Sequence, residues 1–431
     1  MTARPRDRLP AHPLDFGEFV RGNPALVVQP RMGFGAPDRM RAGLAATKRA
    51  RATTVGTITL DSYTRVGDLG SVDTALTEGI ELNGYPIASY DMSVTRWMLE
   101  GIQDAGFPVQ VRHGSPAPKD IFAALIAAGI GATEGGPVSY CLPYGRTSMA
   151  DSVGNWVECC ERFAVLRGHG MEPHLETFGG CLMGQLCPPS QLVAVSVLEA
   201  LFFCQHGIRS VSVSYAQQTN AAQDREAVLA LRRLCAELLP VENWHVVVYA
   251  YMGLFPTTDH GSYRLLGQAA ELAVATGARR LIVKTAAESR RIPSIAENVA
   301  ALEYAGAVAA AGTAGEARPD ADSQTYLEAS ALVHAVLNLD DDIGTALLRA
   351  FERGYLDVPY CLHPDNAGRS RGYIDETGWL RWAELGRLPL RHLVKEGRTT
   401  RVTSSGLLAD LSYVRYSFDS VPGEPGTRLI G

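Results

Sequence analysis

Short runs rich in β-branched residues recur along this chain, each bounded by turn residues and followed by a stretch of helical spacing. The clearest occupy residues 26–29 (LVVQ), 55–60 (VGTITL), 109–111 (VQV), 132–134 (ATE), 173–178 (PHLETF), 210–215 (SVSVSY), 245–252 (HVVVYAYM) and 281–284 (LIVK). A weaker ninth run lies at 82–88 (LNGYPIA). Between them, residues 119–128, 221–239, 267–276 and 287–305 repeat apolar side chains at helical spacing. Strands alternating with helices predict parallel βαβ units, and eight of them predict a (β/α)8 TIM barrel. A doubly wound sheet would usually carry G-x-G-x-x-G after its first strand, whereas the loop after Gln29 reads PRMGFGAPDR.

The boundaries expected are an N-terminal arm at 1–24, the barrel at 25–310, and a linker with a C-terminal region at 311–431. Residues 306–322 (GAVAAAGTAGEARPDAD) hold small and acidic residues with little to pack, so an irregular connection is expected there. Residues 323–337 are helical in pattern. The tail from 354 to 431, with Trp379 and Trp382, reads as packed on the barrel or on a partner.

With 431 residues, 46% hydrophobic and 20% charged, the chain can build a large core, and a formal charge of -6 points to neither nucleic acid nor a membrane surface. It has no apolar run of the ~18 residues a membrane span needs, and its basic N-terminus lacks the apolar segment of a signal peptide. Eight scattered cysteines without repeated C-x-x-C pairs read as reduced thiols. A cytoplasmic protein is expected. No metal site is expected either, because the histidines of HGMEPHLE and the acids at 340–342 match no standard ligand spacing.

In such barrels the chemistry sits where the strands end. Arg31, Arg65, Arg112 with His113, Glu134, Glu176 and Lys284 all follow or close a predicted strand. An arginine after a strand is ordinarily a solvated loop residue. Three of them beside turn-forming residues (Pro30, Gly33, Gly114) suit a planar, bidentate grip on carboxylates, and three suit two carboxylates better than one. A dicarboxylate is therefore the expected ligand. Glu134 can be an ion-pair partner for the arginines, or can hold an ammonium group or move a proton. Gly135 and Gly136 beside it allow close backbone approach. Tyr140 and Tyr144 flank Pro143, either as rim packing or as hydroxyl donors to a ligand.

These segments, in this order, resemble the large (epsilon) subunit of glutamate mutase, also called methylaspartate mutase. The matching strings are VVQPRMGFG at 27–35, TITLDSYTR at 57–65, LNGYP at 82–86, VQVRHGSP at 109–116 and TEGGPVSYCLPYGR at 133–146. They continue with LETFGGCLMGQLCPPS at 175–190, LIVKTAAE at 281–288 and DNAGR at 365–369. The resemblance spans residues 25 to 431.

It implies a radical carbon-skeleton isomerisation of L-glutamate to threo-3-methylaspartate with adenosylcobalamin. The cofactor would be shared with a separate small subunit carrying Asp-x-His-x-x-Gly, a motif this chain lacks, and two copies of this chain would assemble with two small subunits. Arg31, Arg65 and Arg112 match a claw for both substrate carboxylates. Glu134 matches the contact to the amino group, with a proposed role as a base there. Tyr140, Tyr144, His113 and Glu176 fall at substrate-pocket positions. Lys284, Glu288, Pro143 and Asn366 fall on the cofactor side.

The sequence departs from the family pattern in its short N-terminal arm, in PVSYCLPYGR where GISYNVPYAK is typical, in YMGLFP where WMGGFP is typical, and in its alanine-rich segment. Three alternatives stay open: a cobalamin-dependent mutase acting on another dicarboxylate, a cobalamin-free lyase or isomerase, and a non-catalytic dicarboxylate-binding partner.

Overall fold

A computed structural model describes residues 15–143, 145–181, 186–312, 322–394 and 403–420. Eight parallel strands form one sheet: β1 (Val27–Gln29), β2 (Gly56–Thr59), β3 (Val109–Arg112), β4 (Ala132–Gly135), β5 (His174–Thr177), β6 (Ser210–Ala216), β7 (Asn243–Tyr249) and β8 (Arg280–Ile282). Their order is β1-β8-β7-β6-β5-β4-β3-β2. A parallel bridge between Val28 and Thr54 brings the two ends of the sheet together. The result is the expected (β/α)8 barrel, nearly closed, with helices around it and a C-terminal extension.

The ninth candidate run, at 82–88, is not a strand. Tyr85 makes one bridge to Leu60 and its N–H donates to Thr59 O at 2.9 Å. Pro86 has no N–H with which to continue the pairing. The alanine-rich stretch also differs from expectation, because the helix Ile295–Ala311 runs well past residue 306. Alanine has the highest helix propensity, so a run of it extends a capped helix even without apolar side chains to bury. Residues 313–321 of the expected connection lie outside those described. Residues 287–305 divide into a 3-10 turn, Ala286–Ser289, and that helix, with Pro293 between them. Helix Asp259–Thr276 starts a full eight residues before its expected position, capped by the Thr258 side chain.

The barrel interior is polar at its centre. Gln29, Gln110, Glu176, Ser212 and Arg280 are fully shielded from water there. Gln29 Nε2 donates to Thr57 Oγ1 at 2.9 Å and to Gln110 Oε1 at 2.7 Å, and Arg280 donates to Gln29, Gln110, Ser212 and Glu176. A buried network of this kind fixes side-chain positions when its members find partners. At the end of the barrel opposite the mouth, Phe16 on the first helix, Phe16–Gly22, lies 4.8 Å below the Arg280 guanidinium.

The C-terminal extension rests on the barrel. On the hairpin of β9 (Arg371–Ile374) and β10 (Leu380–Glu384), Leu380 N–H donates to Gln223 Oε1 of the barrel helix Ala221–Leu238 at 2.8 Å, and Trp382 Nε1 donates to Glu328 within the extension at 3.1 Å. Asp419 accepts from the N–H groups of Thr257 and Thr258. Among the described residues no helix is long and apolar enough to cross a membrane.

Candidate active site

A cavity of about 540 Å³ opens at the C-terminal ends of the strands. That size lies within the ~300–1,000 Å³ usual for small-molecule sites. Arg31, Arg65, Arg112, His113, Glu134, Tyr140, Lys284 and Glu288 all line it. Residues brought together from five distant stretches of the chain thus face one space.

The buried charged pair in the cavity wall is set by neighbouring strands. Arg112 closes β3 and Glu134 lies in β4, and Arg112 Nε donates to Glu134 Oε2 at 2.7 Å. Both side chains are under a tenth exposed. Burial disfavours the Arg112 charge, but the Glu134 carboxylate overcomes it and holds the guanidinium well above its ordinary pKa. Tyr140 OH donates to Glu134 Oε1 at 2.5 Å, and Tyr249 OH to Oε2 at 2.8 Å. The Arg112 guanidinium also lies 5.1 Å over the Tyr249 ring.

Arg65 is carried differently from expectation. It lies on the short helix Ser62–Val66 rather than on a strand end, and Asp61 starts that helix by accepting from Tyr63 and Thr64 N–H at 2.9 Å. Its side chain crosses Gly114, where a β-carbon would stand 3.1 Å from Arg65 Cδ. His113 is buried beside it and pushed down to about 3, first by burial and then by the Arg65 charge. The imidazole is therefore neutral, with Nδ1 accepting from Ser115 N at 3.0 Å.

The rim is built by the loop after β8. Glu288 caps its own turn by accepting from Thr285 N at 3.0 Å, and its other oxygen accepts from Arg31 Nη1 at 2.8 Å. Lys284 is 8% exposed, 4.5 Å from the Phe255 ring centroid, and lowered to about 8 by burial and then by Arg31. Five cationic side chains (Arg31, Arg65, Arg112, Lys284, Arg291) line the cavity with two carboxylates (Glu134, Glu288). Arg291 is already paired with Glu297 outside it, so two positive charges stay in excess, the complement of a dicarboxylate.

Three expected residues stand apart from this cavity. Glu176 is fully buried beneath it, bound to Arg280, Ser212 and Tyr249. The Asn366 amide is committed to its own loop, accepting from Val358 N at 2.8 Å and donating to the carbonyls of Val358 and Cys361. Pro143 lines an adjacent cavity that shares Arg65 and Gly114. Tyr144 lies outside the described residues.

Other functional positions escaped the sequence reading. Asn83 and Asn298 line the cavity. Tyr249 lies inside the apolar run at 245–252 and was not singled out. Glu199, inside the buried helix Pro189–Gln205, accepts from Val138, Ser139 and Phe178 N–H, so it holds the loops after β4 and β5. A β-carbon on Gly136 would stand 2.0 Å from its carboxylate, so only glycine leaves room for this contact. The signal for Tyr249 and Glu199 was faint: a polar group inside a run too apolar to need one.

Comparison with known proteins places this geometry. Residues 18–412 match the family described as methylaspartate mutase E chain. The chain is 29% identical over 349 residues to the glutamate mutase epsilon subunit of Escherichia coli O157:H7, covering 77% of this chain and 72% of that one. It is 30% identical over 349 residues to the protein of the same name from Yersinia enterocolitica, with the same coverage. Against the Halobacterium salinarum protein of that name the identity is 29% over 443 residues, covering 99% and 91%. The match runs through the whole barrel and every segment that lines the cavity, and the chain belongs to the methylaspartate mutase E chain family.

Proposed function

We propose that this chain is the catalytic large subunit of a glutamate mutase, isomerising L-glutamate to threo-3-methylaspartate. Membership of a mutase family makes it an isomerase subunit; the particular reaction is our reading. The observation that carries it is the set of three arginines and a lysine around one cavity that also holds a buried glutamate.

Guanidinium forks at Arg31, Arg65 and Arg112 bind the two substrate carboxylates, and the planar geometry fixes their direction as well as their charge. Glu134 faces the substrate ammonium and can hold a proton from it. Tyr140 orients that carboxylate. Neutral His113 adds a polar contact without repelling the arginines. Anchoring both ends keeps the two substrate fragments together while the carbon skeleton is broken and remade.

Adenosylcobalamin supplies the radical chemistry of this rearrangement when bound. The donor set fits its adenosyl part. Glu288 at the rim can accept from a ribose diol, Lys284 lies beside it, and Asn83 and Asn298 offer amides to a base. The cavity exceeds what a five-carbon acid fills but is far too small for a corrin. Among the described residues the imidazole lining it is that of His113, deep and already hydrogen-bonded. We therefore assign the corrin and the cobalt ligand to a separate small cobalamin-binding subunit, in an assembly of two such chains with two small subunits. Closure of the mouth by that subunit would exclude water.

The test is reconstitution of the full chain with a cobalamin-binding small subunit, adenosylcobalamin and glutamate. The expected result is methylaspartate formation that needs all four. Turnover surviving removal of cobalamin would instead support a lyase or isomerase independent of it. Glutamate binding with no turnover in any such assembly would support a binding partner.

A further inference from the structure

Tyr249 stands between two buried carboxylates, and its hydroxyl has one hydrogen to offer them. Its oxygen is 2.8 Å from Glu134 Oε2 and also within hydrogen-bond reach of Glu176 Oε1. All three residues are at most 2% exposed. An ionised carboxylate only accepts. With both glutamates ionised, one of the two contacts would press oxygen lone pairs together with no hydrogen between them, in a place water cannot relieve. One additional proton on this row of three groups removes the conflict.

The surroundings of the two carboxylates are closely matched. Glu134 has Arg112 Nε at 2.7 Å and Tyr140 OH at 2.5 Å. Glu176 has the Arg280 guanidinium, Ser212 Oγ at 3.1 Å and Gln110 Nε2 at 3.2 Å. Each end thus carries one buried guanidinium, so no lone charge pins the proton to either side. The charged and titratable groups facing the row are Arg112 from β3, Tyr140 from the loop after β4, neutral His113 packed on the Tyr140 ring at 5.1 Å, Arg280 from β8, and His174 through Ser212. His174, with His245 stacked on it at 5.3 Å, is held neutral by burial and by Arg280, and does not compete for the proton.

We propose that Glu134, Tyr249 and Glu176 share one proton, which Tyr249 relays to Glu176 when a cationic amino group arrives at Glu134. In that step the Glu134 O–H bond breaks as its hydrogen joins the Tyr249 oxygen, and the Tyr249 O–H bond breaks as its hydrogen joins Glu176 Oε1. Tyrosine is neutral before and after, and no electron changes place. Glu134 becomes the carboxylate that the ammonium needs, with no proton exchanged with solvent. The proposal rests on the reading of Glu134 as the ammonium contact. Tyr249 and Glu176 act through Glu134 and are positioning residues.

Infrared spectroscopy of the full chain tests this, because a protonated carboxyl group has its own C=O stretch. Glu199 and Asp224, both raised to about 7, contribute to that region, so the reading is the difference between proteins. Relative to wild type at neutral pH, Tyr249→Phe and Glu176→Gln are each expected to lose the intensity of about one protonated carboxyl, since each removes the conflict without a proton. Either variant suffices if the other fails to fold. Full intensity in a folded variant would overturn the shared proton. Glutamate added to wild type is expected to move that band without weakening it. Binding of glutamate that leaves the band in place would overturn the relay. Failure of glutamate to bind would strike the functional reading instead, while the ligand-free comparison still decides whether the proton is shared.

Discussion

Arg112 Nε and Glu134 Oε2 meet at 2.7 Å across adjacent strands, with both side chains shut away from water inside the barrel mouth. The position is demanding: each charge is tolerable there because the other is present. The pair therefore does two things at once. It keeps a guanidinium at the depth where a substrate carboxylate would reach it, and it keeps Glu134 in place without exposing it.

Removing one member should reveal this dependence. Arg112→Met is expected to cost about 3–5 kcal/mol of stability, because it strands the Glu134 carboxylate. Adding Glu134→Gln should restore a large part of the loss. Urea unfolding of the two single variants and the double variant measures the coupling, and strictly additive losses would show that the pair is not coupled.

Arg31→Lys and Arg65→Lys keep the charge and lose the fork. Charge-assisted hydrogen bonds contribute about 1.5–3 kcal/mol, so glutamate affinity is expected to fall about 10- to 100-fold in each. Calorimetric titration reads this directly. A folded variant with wild-type affinity would remove that arginine from the carboxylate grip. Arg31→Lys should show the smaller effect at low occupancy, since Glu288 already holds part of its guanidinium.

The positions legible in the sequence are those where local order alone fixes the place. Arg31, Arg112, Glu134 and Lys284 follow or close apolar strands, and a parallel barrel puts every strand end at one mouth. Glu176 was read by the same rule, yet its side chain turns down the axis toward Arg280, because a strand end does not say which way a side chain points. Tyr249 and Arg280 depend on the register of β7 and β8 against β1, which no local pattern reveals. Asn366 belongs to a recognisable string, DNAGR, but its amide holds the loop together. The run at 82–88 shows the reverse error, where a short, weakly apolar run suggested a strand that Pro86 prevents.

Lys284 supplies a pH dependence with a definite sign. Its folded value of about 8 lies below the ordinary 10.5, because burial and Arg31 disfavour the charge. Between these values the unfolded chain binds more protons, so this group adds stability as pH rises from about 8 to 10.5 and withdraws it as pH falls through about 8. The full effect is about 3 kcal/mol. Anion affinity at the rim should move oppositely, weakening as pH rises through about 8. Lys284→Met should flatten both profiles. Denaturant midpoints and dicarboxylate titrations across that window check them, and an unchanged slope in the variant would assign the titration elsewhere.

Glu199 gives the opposite sign and reports on the loop that carries Tyr140. Burial raises it from 4.5 to about 7 despite the N–H groups of Ser139, Val138 and Phe178 that favour its charge. The folded protein binds more protons between those values, so its contribution is present below about 4.5 and lost as pH rises through about 7. Glu199→Gln keeps an acceptor and cannot titrate, so stability should become flatter over that interval by up to about 3 kcal/mol. Gly136→Ala separates the steric part: its β-carbon must displace the carboxylate, costing about 1–3 kcal/mol at any pH. If the loop position matters for Glu134, this variant should also lower substrate affinity, because Tyr140 moves with it. Retained affinity alongside lost stability would confine Glu199 to holding the fold.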